Sequence, residues 1–191
     1  ITKMAAMSPS EKSYFETSVL AHAKHRIAWL LILMFSATIT GTIITRYENA
    51  FAAIPLLVSF IPMLMDTGGN CGSQSSTLII RGIALGEIQF SDLFRVMFKE
   101  FRVSLIVGVA LALANGIRIL IMYKNAGLAL VIGLSLVATI VISKLIGCVL
   151  PLIAKKLHMD PAIMASPLIT TLVDTCSILI YFNIATQVFQ L

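Results

Sequence analysis

Long apolar runs alternate with short charged segments along this chain. The runs lie at about 27–45, 52–80, 103–123, 127–154 and 165–189, each close to or beyond the roughly 20 residues that cross a bilayer core as a helix. A membrane strand would be about ten residues of alternating polarity, whereas these runs are longer and apolar on all faces. The pattern predicts an all-α membrane protein with five transmembrane helices. Two mixed segments lie between the runs and the chain start. Ser8-Pro9-Ser10-Glu11 has the form of a helix start, which predicts a short amphipathic helix within residues 1–25. Residues 90–101, FSDLFRVMFKEF, set Phe, Leu, Val and Met among charges at helical spacing, as expected either of an interfacial helix or of an extension of the third span.

Composition agrees with a bilayer as solvent. Of 191 residues, 58% are hydrophobic and only 12% charged, with a mean hydropathy of +0.96, far from the balance of a soluble domain. The net charge of +5 does not indicate nucleic acid, because the bases alternate with the spans and form no single patch. They instead set orientation. Lys3, Lys12, Lys24, Arg26, Arg81, Arg95, Lys99, Arg102, Lys155 and Lys156 fall on one side, against Arg46, Arg118 and Lys124 on the other, with Lys144 alone inside a span. This predicts a cytoplasmic N-terminus and an external C-terminus. Cys71, Cys148 and Cys176 lie in apolar runs without metal-ligand spacing and read as small buried residues. The chain opens at Ile1 on a polar stretch with no signal-peptide pattern, so it is expected to be the membrane part of a longer protein.

Polar residues inside the runs carry the chemistry. In the fifth run Ser166, Thr170, Asp174, Ser177 and Tyr181 are spaced four, four, three and four, which puts them on one helix face. A carboxylate at the bilayer centre costs about 2.5–3.5 kcal/mol or more, so Asp174 must face water or a partner, Lys144 being one candidate. The second run contains MDTGGNCGSQSST at 65–77. Ser59, Asp66, Asn70, Ser73 and Thr77 share a face there, with Gln74 beside them. Pro55, Pro62, Gly68, Gly69 and Gly72 predict that this overlong run tilts, bends or unwinds. Small residues four apart, Gly68 with Gly72 and Gly69 with Ser73, equally suit close helix packing. Broken helices at membrane depth are tolerated where they line a cavity or are buried in protein.

By helix rise, both Asp66 and Asp174 fall in the central part of the membrane. Two acids at one depth attract cations, and the ligands offered are oxygen only: carboxylate, amide, hydroxyl and backbone carbonyl. That set suits hard ions such as magnesium, which keeps its waters and needs only one or two carboxylates; manganese, cobalt and calcium also fit it. The set has no imidazole or thiolate, since His22, His25 and His158 are placed on the cytoplasmic side.

Pro62-Met-Leu-Met-Asp-Thr-Gly-Gly-Asn-Cys-Gly-Ser-Gln-Ser-Ser-Thr-Leu-Ile-Ile-Arg81, with Asp160-Pro161-Ala162 and Pro167-Leu-Ile-Thr-Thr-Leu-Val-Asp174, resembles the transmembrane domain of the MgtE family of magnesium transporters and channels. The resemblance covers nearly the whole chain, including the five-span layout. It implies a homodimer in a bacterial plasma membrane, with the ion path at the subunit interface built from spans two and five. It implies Mg2+ as the transported and pore-bound ion, received hydrated by Asp174 with Thr170 and Ser166 beside it. Asp66, Gly68, Gly69, Asn70, Gly72, Gln74 and Ser177 would line or shape the path. Residues 1–25 match the family's cytoplasmic connecting "plug" helix and 26–191 its pore domain, and the family's cytosolic sensor domains are expected to be absent from this chain. Ser166 stands where some relatives are expected to have asparagine, a shorter group that still holds a water. Asp66 has no role in the family pattern and either shapes the outer vestibule or packs at the subunit interface.

Other functional classes fit less well. Asp66-Thr67-Gly68 matches the DTG of aspartic proteases, but those enzymes need a β-rich turn or two acids sharing a proton. No enzymatic activity is expected. A proton- or sodium-coupled divalent cation carrier is the alternative, because intramembrane acids also relay protons.

Overall fold

The computed structural model describes residues 15–164 and 166–190, and of residues 25, 28, 49–51, 163, 164 and 166 it describes the backbone alone. The expected helix start at Ser8–Glu11 lies outside the described residues. Those that are described form helices and turns, with no strand among them.

Six α-helices follow in order. Helix α1 runs Val19–Arg46, capped by the Ser18 hydroxyl, which accepts from the Ala21 N–H. It passes residue 25 without a break. A short helix α2, Glu48–Ala53, leads through a 3-10 turn at Pro55–Phe60 into α3, Ile61–Ala84. Helix α4 spans Leu93–Tyr123, α5 Ala126–Lys156 and α6 Ser166–Phe189. A 3-10 turn at Phe90–Asp92 runs directly into α4, so residues 90–101 extend the third apolar run and form no separate interfacial helix. Asn125 ends the left-handed turn at Lys124 and caps α5 by accepting from the Leu128 N–H at 2.9 Å.

The second apolar run corrects one expectation. It does break, but upstream of its glycines. Pro55 and Pro62 each fall in the first turn of their helix, where a missing N–H costs nothing and the fixed φ favours helix. From Ile61 onward α3 stays α-helical through Gly68, Gly69 and Gly72.

Among the described residues four helices are long and apolar enough to cross a membrane: Val19–Arg46, Phe90–Tyr123, Ala126–Lys156 and Pro167–Phe189. Helix α3 has the length, about 36 Å at about 1.5 Å per residue, but the polar stretch at 65–77 sets its composition apart.

Helix α5 is the centre of the bundle, with α3, α4 and α6 packed around it, while α1 rests on α6. One apolar cluster joins Leu57, Leu64, Ile132, Leu136, Ile178 and Phe182. Tyr181, also in it, donates to the Leu57 carbonyl at 2.8 Å and so anchors the 3-10 turn to α6. A smaller cluster of Ile79, Cys148 and Leu152 closes the other end, where the Lys156 ammonium sits 4.2 Å from the Phe90 ring centre. Helix α1 keeps Leu30, Phe35 and Ile39 more than half exposed, as a lipid-facing helix would.

The glycines of α3 are explained by contact. A methyl on Gly68 would meet Thr139 and Val173 at 2.8 Å, and one on Gly72 would meet Ile169 at 2.7 Å. A methyl on Gly147 of α5 would collide with the carbonyl oxygen of Gly72. Backbone therefore touches backbone where α3 crosses α5, the packing that small residues permit in membranes. Gly147→Ala is expected to destabilise the fold by about 1–3 kcal/mol, as overpacking does. Gly116→Ala, where added carbon has no neighbour within 4 Å, should leave stability unchanged or raise it, both read from thermal unfolding in detergent.

Candidate functional site: a polar face shared by two helices

Packed glycines on one side of α3 leave its polar residues on another. Asp66, Asn70, Gln74 and Thr77 are exposed, whereas Gly68, Gly69, Cys71, Gly72, Ser75 and Ser76 are buried. Helical periodicity produces this split, with positions 66, 70, 74 and 77 recurring on one stripe. Gly69 lies against Thr170 of α6, where a methyl would approach the threonine methyl to 3.0 Å. That contact brings the polar faces of α3 and α6 side by side. Asp66 and Asp174 lie near enough to repel each other electrostatically.

Asp174 is half-buried and Asp66 exposed, and neither carboxylate has a hydrogen-bond partner among the described residues. The same holds for the amides of Asn70 and Gln74. Asp66, Asn70 and Gln74 thus leave unpartnered oxygens on the exposed stripe of α3, and Asp174 leaves its own on α6, within electrostatic range of Asp66. Thr170 is half-buried and donates to the Pro167 carbonyl at 3.0 Å, which fixes its rotamer and leaves its lone pairs free to accept.

The remaining predicted residues separate from this face. Ser177 is buried and donates to the Val173 carbonyl at 2.7 Å, beside Gly68, so it packs the α3–α6 contact. Tyr181, on the same sequence stripe, is wholly buried. Ser166 opens α6, and its side chain lies outside the described residues. Gly68, Gly69 and Gly72 shape the face by bringing helices together. Among the described residues no group of three or more His, Cys, Asp or Glu forms a metal cluster.

Lys144 does not pair with Asp174. Its ammonium lies 3.8 Å from the Glu100 carboxylate of α4 and donates to Ser75 Oγ at 3.2 Å, while Ser75 donates to Glu100 at 2.6 Å. Among the described residues Asp174 is thereby left without a basic partner. Glu100 belongs in sequence to the charged segment 90–101, outside the apolar runs. The signal was available: a lone lysine within an apolar span demands an acid, and Glu100 stands at the start of the neighbouring span.

Helices long and apolar enough to cross a membrane, with an exposed stripe of oxygen-bearing side chains on α3, mark a membrane-spanning class of protein. The MgtE family, described as a divalent cation transporter, matches residues 61–184. Proteins named magnesium transporter MgtE are similar to this chain in three bacteria. That of Bacillus subtilis is 40% identical over 172 residues, covering 90% of this chain and 38% of the relative. That of Thermus thermophilus is 34% identical over 186 residues, covering 97% and 41%, and that of Enterococcus faecalis 34% over 168, covering 88% and 37%. The chain belongs to the MgtE family of divalent cation transporters, a family of transporters and not of enzymes. It spans about two fifths of the length of these relatives.

If the face is wet, its residues will react with polar reagents. In a background with Cys71, Cys148 and Cys176 replaced by alanine, Asn70→Cys, Gln74→Cys and Thr77→Cys should react with a charged methanethiosulfonate in intact membranes, and Ser75→Cys should not. Equal labelling at all four positions would contradict the split between the polar and packed sides of α3.

Proposed function

We propose that this chain is the membrane-spanning, ion-conducting part of a bacterial magnesium transporter, and that it conducts hydrated Mg2+ as a channel. Five helices cross the cell membrane, α1, α3, α4, α5 and α6, with the N-terminus cytoplasmic and the C-terminus outside. Two copies place the faces of α3 and α6 opposite each other, and the ion passes between them. Residues 1–25 connect at the cytoplasmic mouth and 26–191 form the pore domain.

One observation carries the reading. Asp174 is the one charged residue of α6, has no partner among the described residues, and lies within electrostatic range of a second acid, Asp66, on a stripe whose other groups are amides and hydroxyls. Its charge would be expensive in lipid, so a path for cations accounts for it. Magnesium gives up water reluctantly and is typically held by one or two carboxylates through a largely retained hydration shell. An Asp174 from each copy supplies that pair of charges. Thr170 and Ser166, one and two turns before Asp174 on α6, accept from the ion's waters. Asn70 and Gln74 do the same from α3, and Asp66 adds negative charge toward the outer end of the path. Hydrated manganese, cobalt and calcium meet the same oxygens, so discrimination must come from the fit to the hydration shell.

Proteoliposomes carrying an internal magnesium indicator test this. Wild-type protein should pass Mg2+ down its gradient without a sodium or pH gradient, and Asp174→Ala should lower the flux by at least about tenfold, equivalent to about 1.4 kcal/mol on the barrier. Unchanged flux in Asp174→Ala would remove Asp174 from the path. Flux that required a proton or sodium gradient would establish a coupled carrier instead.

A further inference from the structure

The triad of Ser75, Glu100 and Lys144 joins three helices at one buried point. Ser75 of α3 uses its hydroxyl twice, donating to Glu100 Oε2 at 2.6 Å and accepting from Lys144 Nζ at 3.2 Å. The Glu100 and Lys144 side chains are 12% and 7% exposed, and their charges are 3.8 Å apart. The two side chains border a cavity of about 670 Å³ that Arg95 and Lys99 also line.

Stability alone is a weak reason for such a group. Burying an ion pair requires desolvating both charges, and well-packed apolar side chains of similar volume often serve as well or better. What a hydrogen-bonded pair adds is direction and register. Helix α3 has a specific need for register. Between Leu64 and Ile79, which pack in the apolar clusters at its two ends, its contacts with α5 and α6 run through Gly68, Gly69 and Gly72, a smooth stretch of surface without knobs of its own. Such a surface allows close approach and resists sliding poorly. A slide of one turn, about 5.4 Å, would carry Asp66 and Asn70 away from the depth of Asp174.

Ser75 is well placed to prevent this. It is nine residues after Asp66, which at about 100° per residue puts it on the opposite side of α3. It also lies one turn beyond Gly72, whose carbonyl meets Gly147, and Lys144 is one turn before Gly147. The triad therefore holds α3 from behind its polar face, next to the glycine contact.

We propose that Ser75, Glu100 and Lys144 are positioning residues that fix the axial register of α3 against α5, and so hold its polar face level with Asp174. This rests on the reading that these two faces line the ion path. Removing the triad without removing bulk should loosen the register while the bundle still folds.

The test uses the whole chain in proteoliposomes. Variants are Ser75→Ala, Ser75→Thr and the double substitution Glu100→Met with Lys144→Met, with Asp174→Ala as a control. Three readouts are taken: thermal midpoint, magnesium flux, and the distance distribution between spin labels at Thr77 and Leu172. The double variant and Ser75→Ala should keep the wild-type midpoint, broaden the label distances and lose flux by about fivefold or more, while Ser75→Thr restores both. Should the double variant fail to fold, Ser75→Ala and Ser75→Thr decide the question, since they change one methyl or one hydroxyl. Wild-type flux and label distances in Ser75→Ala would overturn the proposal, as would a flux loss that tracks only a fall in midpoint. Flux unchanged in Asp174→Ala would instead mark the failure of the assumed path.

Discussion

Contact of backbone with backbone, where Gly72 of α3 meets Gly147 of α5, is the constraint on which the arrangement depends. Any side chain at either position would hold the helices apart, and the neighbouring contacts of Gly68 with Thr139 and Gly69 with Thr170 would open with them. Closing those three contacts turns the rest of α3 outward. The polar residues then stand on its exposed side, and two acids that are 108 positions apart in sequence come within range of each other's charge.

Membranes make this arrangement demanding. Lipid supplies no water to satisfy a stray amide or acid, so polar groups there must find partners within the protein or face a wet path. The protein divides its polar residues accordingly. Ser177, Tyr181, Ser143 and Thr186 donate to backbone carbonyls of their own or a neighbouring segment, and Ser75, Glu100 and Lys144 satisfy one another. Ser135, Thr139, Trp29 and Asn115 each keep a buried polar atom without a partner among the described residues, while Asp66, Asn70, Gln74 and Asp174 carry their unpartnered groups at exposed or half-buried positions.

Much of this was legible in the sequence. Apolar run length gave the helices, and the MDTGGNCGSQSST stretch marked the second run as special. The spacing of Thr170 and Asp174 predicted a shared face on α6. Periodicity could not resolve the inward side of that stripe from its open side, because Ser177 and Tyr181 differ from Thr170 only in what packs against them. Nor could it choose between a glycine kink and a glycine contact. The partner helix decides that, and α5 comes some 60 residues later in the chain. Lys144 posed the same difficulty: an intramembrane base needs an acid, but its choice of Glu100 over Asp174 depends on which helices are neighbours. The family match agrees with the reading of the sequence and covers α3 through most of α6, the part of the chain containing both the polar face and the triad.

The central claim is that Asp174, supported by the face of α3, receives a divalent cation. Manganese, a hard ion that the same oxygens accept, makes this directly observable by its anomalous scattering in crystals of the protein. The account predicts an anomalous peak beside Asp174 that disappears in Asp174→Ala. A peak that persists in that variant, or manganese bound within the membrane only at other residues, would contradict it.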